Sequence, residues 1–236
     1  MILGAVAVGF LVKGVAGMGG PLLAIPLIAT VTSVEHAVVV VSFANLLANA
    51  WLVWEHRRSA RGLRWLLLPL LLAGTAGTIF GSWLLTELDD RILSWVLAGI
   101  IAAYILRFLT RPQFRIDESV GRRLAAPVGL AGGVLTGGTG SGGPLYATYL
   151  HALRLDRSVF IFSISTTFLI LGPIQMGVLA SLGSYTAIRI EQALLAVLPL
   201  LVVFPLGVAV SRRMPQKVFE YAVLALLALS AVRLVM

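Results

Sequence analysis

Two long apolar stretches of this chain are interrupted by the same short pattern, half the chain apart. The first reads KGVAGMGGPLLAIPL from Lys13 to Leu27, the second TGGTGSGGPLYATYL from Thr136 to Leu150. Both set Gly-x-Gly-Gly-Pro-Leu inside a run that is otherwise continuously apolar. Gly and Pro are the residues that weaken a helix interior most, by about 1 and 3 kcal/mol relative to Ala. If the surroundings are lipid, backbone freed from helical pairing has no water to turn to, and each unsatisfied group is expensive. Such a segment must be buried in protein or line a watery cavity.

Composition makes the surroundings lipid. The hydrophobic share is 59%, charged residues make up 12%, and the mean hydropathy is +0.98, too little polar surface to coat a soluble domain of 236 residues. The apolar segments run over Leu3–Val31, Ala37–Trp54, Leu63–Leu85, Ile92–Leu109, Leu124–Leu153, Val159–Ala180, Ala193–Val210 and Val218–Val235. Their length predicts helices, not the short alternating strands of a barrel. The absence of cysteine excludes disulfides and thiolate metal sites. A net charge of +8 would suit nucleic acid, but the arginines sit in short loops beside apolar spans, the ordinary orientation signal of a membrane protein. The expected partners are the lipid bilayer and a small anionic substrate, with no nucleic acid and no cofactor; homo-oligomerisation is left open. MILGAVAVGFLVKG has no basic stretch ahead of its apolar run and no A-x-A-like site, so no cleaved signal peptide is expected.

The chain reads as a duplication. Gly14, Gly17, Gly19, Gly20, Pro21 and Leu22 match Gly137, Gly140, Gly142, Gly143, Pro144 and Leu145 at constant spacing, and Gly81–Leu93 resembles Gly207–Phe219. Residues 1–112 form a first repeat, 113–123 a cytoplasmic connector and 124–236 a second repeat, within one membrane domain. Loop charge then orients the spans. EHRRSARGLR from Glu55 is basic and cytoplasmic, TELDDR from Thr86 is acidic and external, and the connector around Arg115, Arg122 and Arg123 is cytoplasmic. Eight simple crossings would leave Arg212, Arg213 and Lys217 outside, against the rule. If each glycine-bearing segment enters and leaves on one side, every basic loop falls inside. The preferred fold is therefore an all-α integral membrane protein of two inverted repeats, each a broken or re-entrant helical hairpin plus three transmembrane helices; eight simple transmembrane helices are the alternative.

A helix that starts after a glycine-rich turn presents unpaired N–H groups and the positive end of its dipole. Two such starts meeting near the midplane would make an anion site, as in secondary transporters built from repeats. Small residues at such spacing also mark plain helix packing; the duplication, the proline and the Gly-Gly doublet favour binding. The expected substrate-binding residues are Lys13, Gly17, Gly19, Gly20, Ser42, Thr136, Thr139, Gly140, Ser141, Gly142, Gly143 and Ser165. Lys13 is a charge well inside an apolar run, which is expensive enough to make it a functional candidate; the alternative is that it snorkels toward an interface. Thr139 and Ser141 offer hydroxyls beside the second break. Ser42 and Ser165 occupy matching places in the second span of each half, whereas Asn45 and Asn49 are read as interhelix hydrogen bonders, and Gln175 is a weaker candidate. His36 and His151 are too far apart and too poorly accompanied to form a metal site. No carboxylate falls at mid-membrane, which disfavours a cation carrier.

GVAGMGGPLLAIPL, the stretch NLLANAWLVWEHRRSARGLRWLLLPLLLAGTAGTIFGSWLL and GTGSGGPLYATYL are similar to the bacterial sulfite exporter TauE/SafE family of permeases. The resemblance extends over nearly the whole chain, including Trp54, Arg57 and Arg58 at the end of the second span. It implies a multi-pass protein of the bacterial inner membrane that exports sulfite or small organosulfonates. An anion channel is the alternative, and an intramembrane enzyme a weaker one, since G-x-S-x-G and HExxH are both absent; no catalytic residue and no metal ligand is assigned.

Overall fold

A computed structural model describes residues 1–60, 62–110 and 115–211. Among these the regular elements are helical: α1 (Ile2–Ala16), α2 (Gly20–Ala29), α3 (Val34–Glu55), a 3-10 turn (Arg57–Ala60), α4 (Arg64–Glu87), α5 (Asp90–Thr110), α6 (Glu118–Thr139), α7 (Gly143–Ala152), α8 (Arg157–Ser181), α9 (Ala187–Leu195) and α10 (Val197–Ser211). Four stretches, α3, α4, α8 and Ala187–Val210 across α9 and α10, are long and apolar enough to cross a membrane. The chain is an all-α, multi-pass membrane protein. The expected last span, Val218–Val235, and the basic loop with Arg212, Arg213 and Lys217 lie outside the described residues.

Both glycine motifs break their helices. Gly17 ends α1 in the left-handed region, φ 76°, and its N–H returns to Lys13 O at 2.8 Å; Gly140 ends α6 at φ 65°, with its N–H on Thr136 O at 2.8 Å. A side chain strains this conformation, which is why glycine stands there. Pro21 and Pro144 then occupy the first turns of α2 and α7, where a missing N–H leaves no bond unmade. The breaks differ in detail: Gly19 is left-handed at φ 92°, while its counterpart Gly142 is right-handed at φ −68°.

Each broken pair folds back on itself. Gly9 of α1 lies so close to Gly20 and Ala24 of α2 that a Cβ would strike the Gly20 carbonyl. In the second pair the Tyr146 hydroxyl donates to Gly129 O at 3.2 Å and the Tyr149 hydroxyl to Gly121 O at 2.7 Å. Ile116 N–H, just ahead of α6, donates to Ala152 O at the end of α7, at 3.0 Å. The entrance and exit of this hairpin are therefore neighbours. Helix α6 begins at Glu118, earlier than its apolar run at Leu124; in its first turns Arg122 pairs with Glu118 at 2.6 Å and lies 5.2 Å over the ring of Trp65 at the start of α4.

Main chain packs on main chain where glycines align. Helices α4 and α6 run parallel, with Leu70 on Gly129, Gly74 on Gly133, and Thr78 and Gly81 on Gly137. Gly14 of α1 meets Gly207 of α10 in the same way, and the match extends to atoms. A Cβ on Gly207 would meet Leu11 O and Val15 N; one on Gly81 would meet Val134 O and Gly138 N, the same offsets from the partner glycine. Helices α3 and α8 run antiparallel: Ser42 and Phe43 near the start of α3 meet Tyr185, just beyond the end of α8. At that end of the bundle Arg189 pairs with Glu35 at 2.7 Å and Asp90 Oδ1 accepts from Val34 N–H at 2.6 Å. Trp65, Arg122 and the Ile116–Ala152 contact mark the opposite end.

Candidate functional site

Lys13 occupies the last turn of α1 with 2% of its surface exposed. Its ammonium donates to Asn45 Oδ1 at 2.6 Å and to Asn49 Oδ1 at 2.7 Å, two residues one turn apart on a single face of α3. Among the described residues no carboxylate lies within ion-pairing distance of it. Burying an ammonium without a counter-ion is costly, and neutral amide oxygens offset only part of that cost.

The charge faces a cavity of about 20 Å³ between the two breaks. Gly17, Met18 and Gly19 wall it from the first hairpin and Gly140, Ser141 and Gly143 from the second; Asn45, Asn49 and Phe168 close it from α3 and α8. Pro21 and Leu22, at the start of α2, complete the wall. The space is near that of one or two water molecules. Two buried polar atoms on the wall have no protein partner, Asn49 Nδ2 and Ser141 Oγ. Buried polar atoms are nearly always paired, so an unpaired set around one cavity is suited to a polar guest. The starts of α2 and α7 add main-chain N–H groups that have no acceptor within their own helices.

Six of the residues expected from sequence lie on the wall: Lys13, Gly17, Gly19, Gly140, Ser141 and Gly143. Gly20 opens α2 against Lys13 and Phe10, and Gly142 wedges against Thr136 and Gly132. The Thr136 hydroxyl donates to Gly132 O at 2.7 Å and the Thr139 hydroxyl to Leu135 O at 2.8 Å, while Thr139 Oγ1 accepts from Ser141 N–H at 3.3 Å. Ser165 is fully buried on α8 and stands off the wall. Ser42 donates to Val39 O at 2.7 Å and meets the Tyr185 hydroxyl at 2.9 Å, toward the end of the bundle.

Three contributors come from residues ranked lower or passed over. Asn45 and Asn49 do bond between helices, and the helix they join is the one that carries the buried charge. Phe168 is the third, and the repeat spacing that pairs Gly17 with Gly140 also pairs Asn45 with Phe168. Gln175 acts from behind the wall: its amide donates to Thr136 O at 2.7 Å and Gly137 O at 3.1 Å, satisfying the carbonyl end of α6. His36 bonds to Gln192 at 2.6 Å and His151 stacks on Phe160. No cluster with metal-binding composition occurs among the described residues.

A family model described as sulfite exporter TauE/SafE matches residues 1–234. The chain belongs to that family. No curated protein and no solved structure matches it significantly. The TauE/SafE family is one of membrane transporters, and a buried lysine with no counter-ion among the described residues, at a cavity between two helix breaks, is an arrangement suited to holding a small anion.

Proposed function

We propose that this TauE/SafE protein is a secondary transporter of the bacterial inner membrane for small sulfur-containing oxyanions such as sulfite or organosulfonates. The cavity as it stands has room for about one or two waters, so the two hairpins part to admit the substrate, which is then held between the breaks by Lys13, Asn49 Nδ2, Ser141 and the amide ends of α2 and α7. The carrying observation is the Lys13 ammonium, buried with no carboxylate near it among the described residues and set with two unpaired polar atoms around one space. An oxyanion supplies the missing negative charge and the missing acceptors together.

The proposed architecture is two inverted repeats, residues 1–112 and 124–236, each beginning with a re-entrant hairpin. Its support is fourfold. The hydrogen bond from Ile116 to Ala152 joins the two ends of the second hairpin. The antiparallel course of α3 and α8 is what two halves of opposite orientation require, and eight alternating crossings would run them parallel. The Gly14–Gly207 and Gly137–Gly81 contacts correspond atom for atom. Arg58, Arg115, Arg122 and Arg157 all lie at element ends that this topology assigns to the cytoplasm.

A cavity this small and walled favours a carrier with an occluded state over an open pore. Flux of labelled sulfite into vesicles containing the purified chain tests the reading. Saturable uptake accelerated by sulfite on the opposite side is expected; unsaturable conductance would indicate a channel instead.

A further inference from the structure

The cavity also counts charge, and the count bears on which anions fit; this step rests on the carrier reading above. Among the described residues Lys13 is the single charged side chain on the wall. The helix termini add little to it. At each break a carbonyl end adjoins an amide end, α1 before α2 and α6 before α7, so their partial charges, about half an elementary charge each, oppose one another. The carbonyl end of α6 is further satisfied by Gln175. What remains is one full positive charge and a set of neutral donors. Of the three ammonium hydrogens two are committed to Asn45 and Asn49, leaving one for a guest.

We infer that the site takes singly charged oxyanions, hydrogen sulfite or an alkanesulfonate, and rejects doubly charged ones such as sulfate. One negative charge beside Lys13 makes a neutral pair, with the remaining oxygens on Asn49 Nδ2 and Ser141 Oγ. A second negative charge would be buried without a cation, and the desolvation of an unpaired ion in such a space exceeds what neutral donors return. Phe168 shapes the same preference: standing where the other half has Asn45, it offers apolar surface for a small alkyl group and no donor for a fourth oxygen.

The test is competition on the purified full chain, with labelled methanesulfonate displaced by unlabelled methanesulfonate, sulfite or sulfate at mildly acid and mildly alkaline pH. Affinities are read as ratios to methanesulfonate, which is a monoanion throughout, so any titration of the protein cancels. Sulfate is expected to bind at least about 100-fold more weakly than methanesulfonate. The sulfite ratio is expected to fall as pH rises and hydrogen sulfite gives way to the dianion. Met18→Lys, which adds a second positive charge to the wall, should bring sulfate at least about 10-fold closer. Sulfate competing as well as methanesulfonate, or a sulfite ratio that rises with pH, overturns the charge rule and leaves the anion carrier standing. Absence of binding by all three anions overturns the carrier reading as well.

Discussion

Asn45 and Phe168 face one cavity from equivalent turns of α3 and α8, related by the spacing that relates Gly17 to Gly140. One half thus places a side chain that holds the Lys13 ammonium where the other places an aromatic ring. At the equivalent of Lys13 itself the second half has Thr136, bonded back to its own helix. The duplicated frame is shared and the chemistry divided: charge comes from the first half, an apolar face and the Ser141 hydroxyl from the second.

Removing the charge should remove the guest. Lys13→Met keeps the apolar stem of the side chain and is expected to weaken sulfite binding by at least about 30-fold, the scale for losing one partner of a buried charged contact. Equilibrium binding on the purified variant, with thermal unfolding as the check on folding, decides it. Unchanged affinity in a folded variant takes Lys13 out of the site.

Supplying the missing counter-ion should block transport without harming the fold. Asn49→Asp puts a carboxylate at the position now 2.7 Å from Lys13 Nζ. The ion pair then formed competes with the substrate for the ammonium, so sulfite flux should fall by about 10-fold or more while the unfolding temperature holds or rises. Misfolding cannot produce that combination. Normal flux in this variant would contradict the role given to the unpaired charge.

Equivalent glycines should fail equally. Gly14, Gly81, Gly137 and Gly207 leave no room for a Cβ, since partner main-chain atoms occupy the space. Each substitution to Ala should cost about 1–3 kcal/mol, similar within the pairs Gly14 with Gly137 and Gly81 with Gly207. Gly4, Gly99, Gly172 and Gly177 have nothing among the described residues within 4 Å of an added Cβ, so their Ala variants should be neutral or more stable than the parent by up to about 1 kcal/mol. Unfolding in detergent measures the series, and losses confined to one member of a pair would count against the duplication.

Much of this frame is legible in the sequence because its causes are local. Gly17 and Gly140 signal the breaks through the conformation they alone adopt cheaply, and Lys13 through the cost of its burial. The repeat spacing also finds the two helices that flank the site. It does not find the turn: Ser42 and Ser165 satisfy the pattern, yet the wall lies one turn further on, at Asn45 and Phe168. That distance depends on how the α1–α2 hairpin seats against α3, a packing outcome with no local signature. The early start of α6 is hidden for a similar reason. Its first turn is polar, and it is held through Arg122 by Trp65 on a helix distant in sequence.

The re-entrant topology can be read with single cysteines, because the chain has none of its own. Arg58, Asp89, Asp156 and Thr186 are all exposed near element ends. Cysteines replacing Arg58 and Asp156 should be labelled by a membrane-impermeant thiol reagent from one side of the membrane, and those replacing Asp89 and Thr186 from the other. Eight simple crossings would put Asp156 with Asp89 and Thr186 with Arg58.

The most direct measurement is a density map of the full chain in sulfite. It should show a compact anion between the two glycine breaks, within about 3 Å of Lys13 Nζ and of the Asn49 amide and Ser141 hydroxyl. Sulfite bound elsewhere, with Lys13 still held by Asn45 and Asn49 beside an empty cavity, would contradict the account.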